Sequence, residues 1–87
     1  MYTLKTRDHV EKLFSKISKK NPKQLTIIYK KLEQIVTNPY QYKPLRAPLQ
    51  YKRRVHIDKS FVLLFSIDES TKSVIVEDYE HHDNAYK

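Results

Sequence analysis

The sequence predicts an α+β domain in the order β-α-α-β-β-β, a small antiparallel-rich sheet with a helical hairpin packed on one face, with residues 1–87 as a single domain. Three observations carry this. Two apolar stripes at helical spacing follow one another, with Asn21 and Pro22 between them. From Tyr51 onward the apolar period shortens to two, the period of a strand. Residues 61–65, FVLLF, are apolar without interruption, as in a central strand covered on both faces.

Each element has its own local reason. Tyr2, Leu4 and Thr6 alternate as in a short strand, and Asp8 followed by Glu11 has the spacing of a capping box at a helix start. Val10, Leu13, Phe14 and Ile17 then form one stripe, with Lys12, Lys16, Lys19 and Lys20 outside it. Asn21 and Pro22 read as an N-cap with proline at the first helical position. The second stripe is Leu25, Ile28, Tyr29, Leu32, Ile35 and Val36, and Asn38 with Pro39 ends it. Residues 39–50 hold three prolines and read as a connecting loop. Tyr51, Arg53, Val55 and Ile57 then share one face of a strand, and Lys52, Arg54 and His56 the other. Asp58, Lys59 and Ser60 turn the chain into the apolar strand, and residues 68–71 turn it into a last strand through Val74, Ile75 and Val76.

Composition excludes several chemistries. The chain has no glycine, so glycine-rich phosphate loops are absent, and no cysteine, so thiolate zinc sites, thiol nucleophiles and disulfides are absent too. No cofactor is expected. The run at residues 61–65 is far short of the roughly 20 residues that span a bilayer. A soluble, cytoplasmic protein without membrane contact is the expectation.

The net charge of +7 suits a polyanionic partner, and its distribution is uneven. Residues 1–42 carry nine basic and three acidic side chains, residues 43–59 six and one, and residues 60–87 two and six. The densest positive stretch is therefore the loop and strand holding Lys43, Arg46, Lys52, Arg53, Arg54 and Lys59. Alternate residues of a strand lie about 7 Å apart, close to the phosphate repeat of a nucleic-acid backbone, so Lys52, Arg54 and His56 could meet successive phosphates.

The segment after the last strand holds His81, His82, Asp83 and, near the end, Tyr86. Histidine suits proton transfer near neutral pH, and Tyr86 offers an aromatic body for docking or stacking. Two other readings of this tail stay open. His81, His82 and Asp83 could bind a transition metal with His56 or His9 as a further ligand, or the tail could be a solvated polar end.

Taken together, the stretch from Leu45 through Tyr86 resembles the RelE family of toxin–antitoxin messenger-RNA interferases, in its archaeal form. The residues that carry the resemblance are Tyr51, Lys52, Arg53, Arg54, Val55 and His56, the apolar strand at 61–65, and the closing His81, His82, Asp83, Asn84, Ala85 and Tyr86. It implies a RelE-like fold and a metal-independent, ribosome-dependent endoribonuclease. Such a toxin cleaves messenger RNA in the ribosomal A site, inhibits translation, and is silenced by a RelB-type antitoxin. It further implies Arg54, His56, His81, His82 and Tyr86 as the catalytic set, and Lys43, Arg46, Lys52, Arg53 and Lys59 as RNA-binding cations. Val62 stands where many members carry an arginine, which leaves Lys59 as the replacement cation. Two other functions fit the same residues: a non-catalytic RNA-binding or ribosome-associated domain, and a gyrase-inhibiting toxin on the same fold.

Overall fold

The first strand, β1 (Thr3–Thr6), passes directly into α1 (Asp8–Lys20), where the helical stripe takes over. The computed structural model describes residues 1–83. The capping box expected at Asp8 and Glu11 does not form. Arg7 is the N-cap, without a side-chain capping bond, and both acids lie inside the first turn, where their charge faces the positive end of the helix dipole. Asn21 closes one helix and opens the next. Its N–H donates to the Ile17 carbonyl at 2.7 Å, and its side-chain oxygen accepts from the Gln24 N–H at 3.3 Å, capping α2 (Pro22–Thr37). The hairpin therefore needs no loop.

The remaining strands are β2 (Lys52–Ile57), β3 (Phe61–Asp68) and β4 (Ser73–His81). The sheet order is β1-β4-β3-β2, antiparallel except for β1, which lies parallel to β4 at the edge. A parallel neighbour needs a long crossover, and the helical hairpin is part of it. The last strand extends beyond Val76 to His81 and adds Tyr79 to the core. The loop after α2 starts with a short 3-10 turn, Pro39–Gln41, and Pro44 bridges to Arg53. Tyr51 is exposed just before β2 rather than on its inward face.

Val10 and Phe14 of α1 and Ile28, Leu32 and Ile35 of α2 pack on Val55, Ile57, Leu63, Phe65, Val74, Val76 and Tyr79 of the sheet. Burying each such large apolar side chain contributes about 1.5–3 kcal/mol before the entropy of ordering is charged against it. Val62 and Leu64 alternate to the other face, yet only 1% and 6% of their surface is exposed. That face is open to solvent at its rim but dry beneath.

At one end of the sheet Glu69 gathers three segments. It accepts hydrogen bonds from the Tyr2 hydroxyl, from the Tyr40 hydroxyl at 2.7 Å and from the Lys72 ammonium at 2.8 Å. These bonds, that of Lys72 foremost, hold its carboxyl down to about 2. With no glycine available, Lys72 itself takes the left-handed turn conformation, φ 52°, as does Asp58 in the β2–β3 turn, φ 56°.

Candidate functional site

The open face is built by alternation. Val55 and Ile57 point into the core, so Lys52, Arg54 and His56 project from the other side of β2, opposite Ser66, Leu64 and Val62 of β3. At the far end of the sheet the chain leaves β4 at His81, and the His82 N–H donates to the Ser60 carbonyl at 2.7 Å. That bond ties His82 to the β2–β3 turn. Its ring stacks on His56, with centroids 5.8 Å apart and planes 29° from parallel.

His81 goes the opposite way. Its ring meets Phe61 edge-on at 5.5 Å, and Phe61 stacks on the buried Tyr79 at 5.3 Å. His81 is the last residue of β4 and His82 the first of the turn after it, and their ring contacts put the two on opposite faces of the sheet. Asp83 lies between them, 3.7 Å from His81 Nδ1 and 3.8 Å from His82 Nδ1. Tyr86, the remaining member of the expected catalytic set, lies outside the described residues. Among the described residues no group of three or more His, Asp or Glu side chains is arranged to hold a metal ion.

The cations expected to meet RNA divide into two groups. Lys43 and Arg46 are exposed in the loop before β2, and Lys59 is exposed in the turn beside Ser60. Lys52 lies on the open face, but its ammonium is 3.4 Å from the Asp78 carboxylate. Arg53 does not join them. It sits on the helix side, where its guanidinium donates to the Tyr42 carbonyl and lies over the Tyr40 ring at 5.1 Å. It fastens the loop to the sheet, because a half-buried guanidinium needs acceptors and a ring face close by.

A feature that alternation could not reveal sits beside Lys52. Leu64 pairs with Asp78 but Phe65 pairs with Val76, so Glu77 is an extra residue in β4. Such a bulge re-aims side chains, and here both consecutive carboxylates turn to the open face. Glu77 accepts from the Ser66 hydroxyl at 2.6 Å and from Arg7 at 2.9 and 3.2 Å, and Asp78 meets His9 at 3.0 Å as well as Lys52. Burial raises the Glu77 carboxyl, but the bonds from Arg7 and Ser66 outweigh it and leave the group below its usual value. The only sequence signal was the run of polar residues 77–78 inside a strand. On the helix side, burial and then the charge of Asp58 push the Tyr79 phenol above its ordinary value, so this hydroxyl stays protonated.

No family model matches the chain. A candidate RelE4 toxin of Methanocaldococcus jannaschii is 51% identical over 87 residues, covering all of this chain and 93% of that protein. The chain belongs to the RelE toxin family. An uncharacterised protein of Methanosarcina mazei is 55% identical over 86 residues, covering 99% of this chain and all of the relative. Among solved structures, the RelBE2 toxin–antitoxin complex of Mycobacterium tuberculosis matches this RelE fold with a TM-score of 0.77 at 20% identity, over 93% of this chain and 98% of that one. A metal-bound toxin of Helicobacter pylori matches with a TM-score of 0.76 at 25% identity, over 99% of this chain and all of that one. The two helices on a four-stranded sheet are thus the RelE toxin fold, and no helix among the described residues is long and apolar enough to cross a membrane.

Proposed function

We propose that this RelE-family chain is the toxin of a type II toxin–antitoxin system, a metal-independent endoribonuclease that cleaves messenger RNA in the ribosomal A site of the cytoplasm and is silenced by a RelB-type antitoxin. The observation that carries the reading is the grouping of Arg54, His56 and His82 on the open face, with the two imidazoles stacked at 5.8 Å. Messenger cleavage of this kind needs a cation at the phosphate, a base at the ribose 2′-hydroxyl and an acid at the leaving oxygen. Arg54 holds the phosphate. One imidazole takes the 2′-hydroxyl proton as the 2′-oxygen bonds to phosphorus. The other protonates the 5′-oxygen as its bond to phosphorus breaks, leaving a cyclic phosphate and a 5′-hydroxyl. Lys43, Arg46 and Lys59 supply phosphate contacts around this centre, and Tyr86 stacks on a base. His81 supports His82 from the other face.

The test is messenger cleavage on programmed ribosomes with a chelator present. Cleavage mapped to the A site, insensitive to the chelator and lost in Arg54→Ala, is the expected result. Binding without cleavage in the unaltered protein supports an RNA-binding domain instead. Inhibition of gyrase without either supports the gyrase-directed branch, and activity restored only by zinc overturns the metal-independent chemistry.

A further inference from the structure

Arg54 of β2 pairs with Leu64 of β3, and Leu64 with Asp78 of β4, so the guanidinium that holds the cleaved phosphate and the Asp78 carboxylate stand in one row across the open face. Two strand spacings separate their backbones, about 10 Å, roughly the span from a nucleotide's phosphate to the far edge of its base. Leu64 between them offers neither donor nor acceptor. The reacting groups lie over this face rather than along its β2 edge, because His82, reached from the end of β4, stacks on His56 of β2. A messenger seated there crosses the row. The bulge treats its two acids differently. Glu77 belongs to the fold: its side chain is 13% exposed, and Arg7 and Ser66 engage both of its oxygens. Asp78 keeps 32% of its side chain exposed and has one partner on each oxygen, His9 at 3.0 Å and Lys52 at 3.4 Å. A carboxylate has about four lone-pair sites, so each oxygen can accept a further hydrogen bond. The two neighbours aim the carboxylate and offset the charge that a nearby phosphate would otherwise repel.

We propose that Asp78 is a specificity residue of the messenger-cleavage site, which reads a nucleotide flanking the cleaved bond, favours a base with an exocyclic amino group and disfavours uracil. The inference rests on the cleavage reading above and adds a substrate preference to it. Single-stranded RNA exposes its base edges to side chains. A carboxylate accepts hydrogen bonds and donates none, so amino hydrogens of adenine, cytosine or guanine match it. Uracil has carbonyl oxygens at both corners of its pairing edge and a single N–H between them. Those oxygens meet the carboxylate as like against like.

The experiment is cleavage on programmed ribosomes whose A-site codon carries, at one position at a time, guanosine or inosine, and adenosine or purine riboside. The members of each pair differ by one amino group. The readout is the ratio of rates within a pair, which a change in overall RNA affinity leaves untouched. In the unaltered protein, removing the amino group at a nucleotide flanking the cut is expected to slow cleavage about tenfold, the usual discrimination of a good contact between side chain and base. In Asp78→Ala the same replacement is expected to have no effect, with an unchanged melting temperature showing that the chain is folded. Asp78→Asn, of the same shape and with an amide that can donate to a carbonyl, is expected to raise cleavage at uridine relative to adenosine. An ion-pair brace without a reading role slows all messengers alike when it is lost, so equal slowing in Asp78→Ala with the amino-group effect intact overturns the proposal. Equal cleavage of both members of every pair by the unaltered protein also overturns it and leaves the cleavage reading standing. If the unaltered protein cleaves no messenger, the cleavage reading fails and this proposal falls with it.

Discussion

The two ends of the sheet use polar side chains in opposite ways. At the Glu69 end, two tyrosine hydroxyls and a lysine close on one carboxylate, joining the first residues of the chain, the turn after α2 and the β3–β4 turn. At the His82 end, His82 stacks on His56 with the Asp83 carboxylate 3.8 Å from its Nδ1, and backbone bonding between His82 and Ser60 fixes the chain. Segments far apart in sequence are joined in both places. Charge met by internal partners fastens the fold at one end, whereas at the other the stacked imidazoles lie on the same face as Arg54.

The largest expected effect breaks the His82 end alone. His82→Ala, and separately Arg54→Ala, should lower messenger cleavage by about 10² to 10⁴, the usual loss for a positioned acid, base or phosphate cation. Thermal melts should barely move, since both side chains lie on the rim of the sheet. An equal loss of stability and activity would erase the contrast between the two ends. Between them lies the shared core: Phe65 is fully buried, and Phe65→Ala should cost about 3–5 kcal/mol in urea unfolding without favouring either end.

How much of this was legible in the sequence follows from which periods survive. The helical stripes of α1 and α2 and the alternation of β2 are uninterrupted, so their inward faces could be read directly, save that Tyr29 and Tyr51 at the margins of these patterns are exposed. The extension of β4 was hidden because the bulge at Glu77 puts two acids in succession where alternation demands one inward residue. The separation of His81 from His82 was hidden for a related reason. Residues taken as a tail have no face, whereas His81 as the last residue of β4 has a fixed one, and the turn after it carries His82 to the other. Arg53 was correctly placed on the inward face, but a cation there has to be satisfied by something, and the Tyr42 carbonyl and Tyr40 ring belong to a loop without periodicity.

Two smaller changes sharpen the comparison. Asp78→Asn removes the carboxylate that engages Lys52, so RNA affinity at low salt should rise about two- to fivefold, the size of a partly exposed ion pair, and the salt dependence should steepen. Filter binding across several salt concentrations measures both. Asn21→Ala removes the α2 cap and should cost about 1 kcal/mol in urea unfolding, with cleavage unchanged.

The smallest expected effect belongs to the Glu69 end, because that cluster is exposed and water screens it. Its signature is a pH dependence with two limits. Glu69 ionises more readily in the folded chain, with a value of about 2, so its contribution is full above the ordinary carboxylate range. It fades as the pH falls from about 4.5 through 2, where protonation removes the acceptor. Tyr40 behaves oppositely. The hydrogen bond to Glu69 foremost, then burial, pushes its phenol up to about 12. Its contribution is full below pH 10 and is lost as the pH rises from there through about 12. Glu69→Gln should therefore melt below the unaltered chain near neutral pH, and the two melting curves should converge in acid. At alkaline pH the gap should narrow again as Tyr40 ionises beside the carboxylate. A gap that stays constant from pH 2 to 7 would mean that the three donors sit around Glu69 without drawing stability from its charge.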